Sequence, residues 1–151
     1  MGKSEYYSPT LIEGESEQPQ IIIDAMALYG LLLRAEMMMT KVDRMRYANR
    51  AIEQILDVVR EFYLAYDFED DREIHLKRMC ANIGVFLMTM RIIAERNIIC
   101  VMPKESFDCA SPDSVKRQIM EHLAKLDEGA TRWRKSFMKS KTRGKGTTGI
   151  R

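Results

Sequence analysis

The sequence predicts an all-α fold, an antiparallel up-down four-helix bundle that is oligomeric, and three observations lead to it. Twelve Met together with many Leu, Ala, Glu, Lys and Arg dominate the composition, while Pro is limited to four and four of the eight Gly (Gly2, Gly144, Gly146, Gly149) lie near the ends. Strong helix formers are therefore abundant and helix breakers scarce. Apolar residues recur at intervals of three and four in four separate runs. The length of 151 residues at 46% hydrophobic suits one domain with a sizeable core, and no repeat of 20 to 50 residues points to a solenoid.

Residues 1–18 are polar, rich in Ser and Glu and interrupted by Pro9 and Gly14. They carry too little apolar area to offset their conformational entropy and read as a disordered tail. The bundle is expected over residues 19–140. Its first helix runs from Pro19 to about Met39, with Ile22, Met26, Tyr29, Leu33 and Met37 on one stripe, Ile21, Ala25, Leu28, Leu32 and Met39 on a second, and Ile23, Ala27 and Leu31 on a third. A helix apolar nearly all round in a chain of about four helices predicts a second copy of the protein against it, because so large an exposed patch is unusual on a monomer.

Thr40 to Asp43 reads as a capped turn. The second helix follows with Met45, Ala48, Ile52, Ile55, Val59, Phe62 and Tyr66 as its apolar line. Asp67, Glu69, Asp70 and Asp71 then break the pattern and suit the N-terminus of a third helix, where negative charge meets the positive end of the helix dipole. That helix extends to about Arg96 and buries Leu76, Met79, Ile83, Phe86, Met90 and Ile93, with Cys80, Leu87 and Ala94 alongside. Gly84 within this face predicts close approach of a neighbouring helix, since a mid-helix glycine costs about 1 kcal/mol relative to Ala. Residues 98–110 read as a connection that partly packs down. Ser111 and Pro112 give an N-cap and a first helical residue, and Val115, Ile119, Leu123, Leu126, Ala130, Trp133 and Phe137 form the apolar face of the fourth helix. Residues 141–151 read as a flexible basic tail.

Several functional classes are disfavoured. The apolar run from Ile21 to Met39 contains Asp24, Arg34 and Glu36 and follows no positively charged leader, so neither a signal peptide nor a membrane span is expected. Three cysteines, Cys80, Cys100 and Cys109, have no C-x-x-C spacing, which fits a reducing cytoplasmic setting, with Cys80 a small buried hydrophobe. His75 and His122 lack the Glu-x-x-His spacing of di-metal bundles, and no phosphate-binding loop, nucleophile elbow or zinc-protease motif is present. The sequence thus predicts no enzyme, no cofactor and no metal.

Charge supplies the positive signal. From Arg132 onward there are eight basic residues and no acidic one, whereas residues 1–131 carry 16 Lys and Arg against 22 Asp and Glu, a net charge of −6. Helix dipoles favour cations at a C-terminus, but such capping does not require eight. Arg132, Arg134, Lys135, Lys139, Lys141, Arg143 and Lys145 are accordingly the expected nucleic-acid-binding residues, acting on phosphates, since no base-reading motif accompanies them. An anionic membrane fits less well, because Trp133 and Phe137 are needed in the core.

The stretch from Arg50-Ala51 to Ile99, above all Glu73 to Ile99 (EIHLKRMCANIGVFLMTMRIIAERNII), resembles the second and third helices of a bacterial four-helix-bundle family that includes proteins encoded in intervening sequences of 23S rRNA genes. The Ser111-Pro112-Asp113 start and the fourth helix ending in Arg132-Trp133-Arg134-Lys135 look more specifically like the accessory variability determinant proteins of diversity-generating retroelements. Many members of the wider family carry Ser-Ile-x-x-Asn-Ile-Ala-Glu-Gly where this chain has Gln54 to Phe62 (QILDVVREF), so the resemblance rests on helix spacing and charge. It implies a homopentameric barrel of four-helix subunits with a basic surface. Such an assembly is an essential non-catalytic partner that binds a reverse transcriptase with its RNA and DNA in mutagenic retrohoming. The alternative is a structural or protein-binding bundle with no nucleic-acid role, whose basic end docks an acidic surface.

Overall fold

Pro19, extended at ψ 151°, stands at the head of α1 (Gln20–Glu36) and accepts the first backbone hydrogen bonds, from Ile22 and Ile23. This is a computed structural model, and it describes residues 19–102 and 111–148, with side chains as far as residue 137 in the last helix. Among the described residues the chain is all-α, with four principal helices and no strand. The tail over residues 1–18 predicted to be disordered lies outside them, as do residues 103–110.

α1 ends at Glu36, three residues before the expected boundary. Met37 and Met38 donate their N–H groups back to Arg34 and Ala35, and Met38 and Met39 turn into the core. Thr40 then caps a single helical turn, Lys41–Asp43, its Oγ1 accepting the Asp43 N–H at 3.2 Å. A π-helical segment, Arg44–Ala48, joins that turn to α2 (Asn49–Asp67). The π segment holds one residue more per turn than an α-helix and so shifts the phase of the side chains. Met45, placed in the core by its sequence spacing, is exposed. The buried line running from the π segment through α2 is Ala48, Ala51, Ile55, Val58, Phe62 and Ala65, while Ile52, Val59 and Tyr66 sit half-buried at its edge. Three alanines on that line let another helix come close, and α2 makes its most extensive packing with α3.

A 3₁₀ turn, Glu69–Asp71, leads into α3 (Arg72–Glu95). Leu76, Met79, Cys80, Ile83, Phe86, Leu87, Met90 and Ile93 are buried, close to the line expected from spacing. α3 is stopped by Asn97, whose φ of 31° places it in the left-handed region just past the Arg96 C-cap. Ile98 and Ile99 drop into the core, and the N–H groups of Cys100 and Val101 both reach the Met38 carbonyl, at 2.9 and 2.8 Å. The described part of this connection, residues 98–102, packs down at Ile98 and Ile99 and ties the end of α3 to the α1–α2 turn. Ser111 caps α4 (Pro112–Thr148) by accepting the Ser114 N–H on its Oγ at 3.1 Å. The last turns of α4 cover residues 141–148, the part read from sequence as the start of the basic tail.

The helices pack in a closed cycle, α1 on α2, α2 on α3, α3 on α4 and α4 on α1, so that α1 and α3 occupy opposite corners of a four-helix bundle. Ile22, Leu28, Leu32, Met38, Ile55 and Phe86 are among its fully buried side chains. Two carboxylates are enclosed as well. Asp24 accepts a hydrogen bond from Gln20 at 3.0 Å. Glu61 Oε1 lies 2.7 Å from His75 Nδ1, linking α2 to α3. No helix among the described residues is long and apolar enough to cross a membrane.

Candidate nucleic-acid interface

The basic residues of α4 fall into groups with different surroundings, and the helical repeat of about 100° per residue separates them. Ala130, Trp133 and Phe137 continue the inward face: Ala130 is buried, and the two aromatic side chains are half-buried with ring centroids 6.2 Å apart. Arg132 and Lys135 are exposed beside this face. The nearest carboxylate to Arg132 is Glu128, one turn earlier at 3.9 Å, and both side chains are open to solvent, so the pair holds Arg132 weakly.

Arg134 behaves differently. It is half-buried and crosses to α3, where its Nη2 donates to the Cys80 carbonyl at 2.9 Å. Its guanidinium passes over Gly84, where an added Cβ would sit 3.5 Å from Nη2. The approach expected at Gly84 is thus made by an arginine side chain rather than by a helix backbone, at an ordinary van der Waals distance. Burial pushes the Cys80 thiol above its ordinary value, with the Arg134 guanidinium pulling the other way. Arg134 is one of the sequence-selected cations, and its principal contact is with its own bundle.

Lys139, Lys141, Arg143 and Lys145 fall on the last turns of α4, and their side chains lie outside those described. Two further cations join this end of the molecule from α3. Lys77 places its Nζ 5.9 Å from the Phe137 ring centroid while pairing with Glu73 at 3.3 Å, and the neighbouring Arg78 is exposed. The adjacent Lys-Arg pair was visible in the sequence, but nothing in local spacing told which end of α4 it would meet.

The charge at this end is mixed. Asp67, Glu69, Asp70, Asp71 and Glu73 are all exposed around the α2–α3 turn, and among the described residues no group of three or more His, Cys, Asp or Glu is arranged to hold a metal ion. What the geometry offers chemically is solvated cations on a rigid helix, Arg132 and Lys135 foremost, backed by half-buried aromatic rings. Such groups bind anions through charge and hydrogen bonding. The chain matches no protein-family model, no curated protein and no solved structure at a significant level.

Proposed function

We propose that the protein is a non-catalytic, cytoplasmic accessory bundle that assembles as a homo-oligomer and holds RNA or DNA through phosphate contacts at the end of α4. In this reading it acts beside a reverse transcriptase in a diversity-generating retroelement, the role implied by the resemblance in its helices, with a homopentamer as the assembly. The four helices run antiparallel in sequence order. That direction is supported by Arg134 meeting Cys80 while Arg91 meets Asp127, by Glu61 meeting His75, and by Gly129 lying near Ile21.

The observation that carries the nucleic-acid reading is the exposure of Arg132 and Lys135 on a helix that has no acidic residue after Glu128. Phosphate binding by such a surface is electrostatic and falls steeply with salt. Repetition of the surface around an oligomer multiplies contacts that are individually weak.

The test replaces Arg132 and Lys135 with Gln and leaves Arg134 in place. Binding of nonspecific RNA and single-stranded DNA is titrated by gel shift at several salt concentrations. The double variant is expected to bind more weakly and to lower the slope of log affinity against log salt by about 1.4 on single strands, about 0.7 for each phosphate no longer neutralised. Its helical circular dichroism should match the parent. An unchanged slope contradicts the assignment of these residues. If the parent shifts neither nucleic acid at low salt, the nucleic-acid role falls and the protein-binding bundle takes its place.

A further inference from the structure

The outward face of α1 is apolar, and the four helices leave it uncovered. Ile23, Met26, Leu33 and Met37 are between 40% and 58% exposed along it, with the exposed Gly30 at the middle. These positions follow one another at three and four and so share one stripe. Arg34 is the only exposed charged residue of the helix, since Asp24 is buried beside Gln20 and Glu36 is half-buried. A Cβ built on Gly30 meets nothing within 4 Å, so the middle of the stripe is open to close approach by backbone. The head of α1 is uncompensated as well. Pro19 brings no side-chain cap and the first turn holds no acidic residue, which leaves the positive end of the helix dipole to be met by charge from outside the helix.

The sequence just ahead of Pro19 matches both features. Glu13, Glu15 and Glu17 precede the helix directly, and Gly14 among them permits the chain to reverse. Before them stands Tyr6-Tyr7-Ser8-Pro9-Thr10-Leu11-Ile12, in which Pro9 favours extended backbone. Alternate residues of an extended segment share a side, so Tyr6, Ser8, Thr10 and Ile12 fall together, large at both ends and small in the middle. The stripe on α1 has the same form, with large side chains at both ends and Gly30 between them. Lengths agree too: Tyr6 to Ile12 spans about 20 Å when extended, and Ile23 to Met37 spans about 21 Å along the helix. The link is long enough, since residues 13–18 reach about 20 Å, whereas Ile23 stands only about 6 Å along the helix from Pro19.

We propose that residues 6–12 lie along the outward face of α1 in their own chain, antiparallel to the helix. Ile12 then sits over Ile23 and Met26, and Tyr6 over Leu33 and Met37. Ser8 and Thr10 pass Gly30, where the missing side chain leaves room for backbone. Residues 13–18 make the reversal and hold their glutamates at the positive end of α1. Alone this segment has too little apolar area to offset the entropy of ordering, and the exposed stripe provides the area that it lacks. The cover for α1 thus comes from within the chain rather than from the second copy that a helix apolar nearly all round suggests.

The experiment follows methionine methyl resonances by NMR in the full chain and in a chain lacking residues 2–17, with light scattering on the same samples. Met26 and Met37 are expected to shift on deletion, while Met88, exposed on α3, stays in place. The double variant Tyr6→Asp, Ile12→Asp of the full chain is expected to reproduce those shifts with its helical circular dichroism unchanged. A full chain diluted to monomers is expected to keep Met26 and Met37 where they are. Unmoved Met26 and Met37 in the deleted chain overturn the proposal. Monomers of the full chain that lose the parent positions overturn it as well, because a neighbouring copy then covers the face. Self-assembly is read from the mass alone and stands or falls apart from this contact.

Discussion

Asn97 is the only residue other than glycine with a positive φ among the described residues, at 31°. Its position just past the end of α3 explains the choice, because asparagine tolerates left-handed backbone better than other side chains and there ends the helix. Asn97→Val is expected to lower stability by about 1–2 kcal/mol, whereas Asn97→Gly should leave it within a few tenths of a kcal/mol of the parent. Urea denaturation followed by far-ultraviolet circular dichroism checks both, and an unperturbed Val variant contradicts the assignment. Single residues were unevenly legible in the sequence. The capping roles of Thr40 and Ser111 were readable because an N-cap is a local event, set by one hydroxyl and an N–H three residues on. The hydrogen bond from Arg134 to Cys80 spans 54 positions, and nothing local distinguishes that arginine from Arg132 or Lys135, which face solvent.

Helices carry the clearest sequence signal, and the exceptions have identifiable causes. α3 and α4 bury nearly the side chains that their spacing selects, because each is regular through its packed length. α2 departs for two reasons. Its π-helical entry shifts the phase, and its buried line includes Ala51 and Ala65, which a reading weighted toward large apolar residues passes over. Glu61 was hidden in the same way: it lies beside Phe62 on the buried side of α2, and its partner His75 is on another helix. Removing one member of this pair leaves the other enclosed without a hydrogen bond, so His75→Ala is expected to cost about 1–3 kcal/mol. Replacing both with Leu should recover most of the loss, since well-packed apolar groups can substitute for an enclosed polar pair. A double-mutant cycle on the denaturation free energies measures the coupling, and a value near zero shows that the 2.7 Å contact contributes nothing.

For the whole molecule, alkaline pH should expose a weakness near the α2–α3 turn. Burial raises the Tyr66 phenol above its ordinary value, partly opposed by Arg72, whose guanidinium lies 5.1 Å from the ring centroid. The unfolded phenol ionises first, near pH 10, while the folded protein still holds its proton. This contribution to stability is therefore complete below about pH 10 and declines as pH rises from there toward the folded value. Tyr66→Phe should flatten that part of the decline, as read from urea midpoints between about pH 8 and 11; an identical slope in the variant places the alkaline loss elsewhere. At this scale the bundle was legible because helix periodicity and loop chemistry are local, whereas which helices stand at opposite corners is set by packing between distant segments. One consequence of the fold is mechanical. α4 has 37 residues and is about 55 Å long, against 24 residues and about 36 Å for α3. A rod clamped along part of its length and loaded near its far end is a lever. Tension in a strand bound to the last turns, as proposed, would be felt first near Phe137, the last described residue of α4 packed on the bundle, one turn beyond the bond between Arg134 and Cys80.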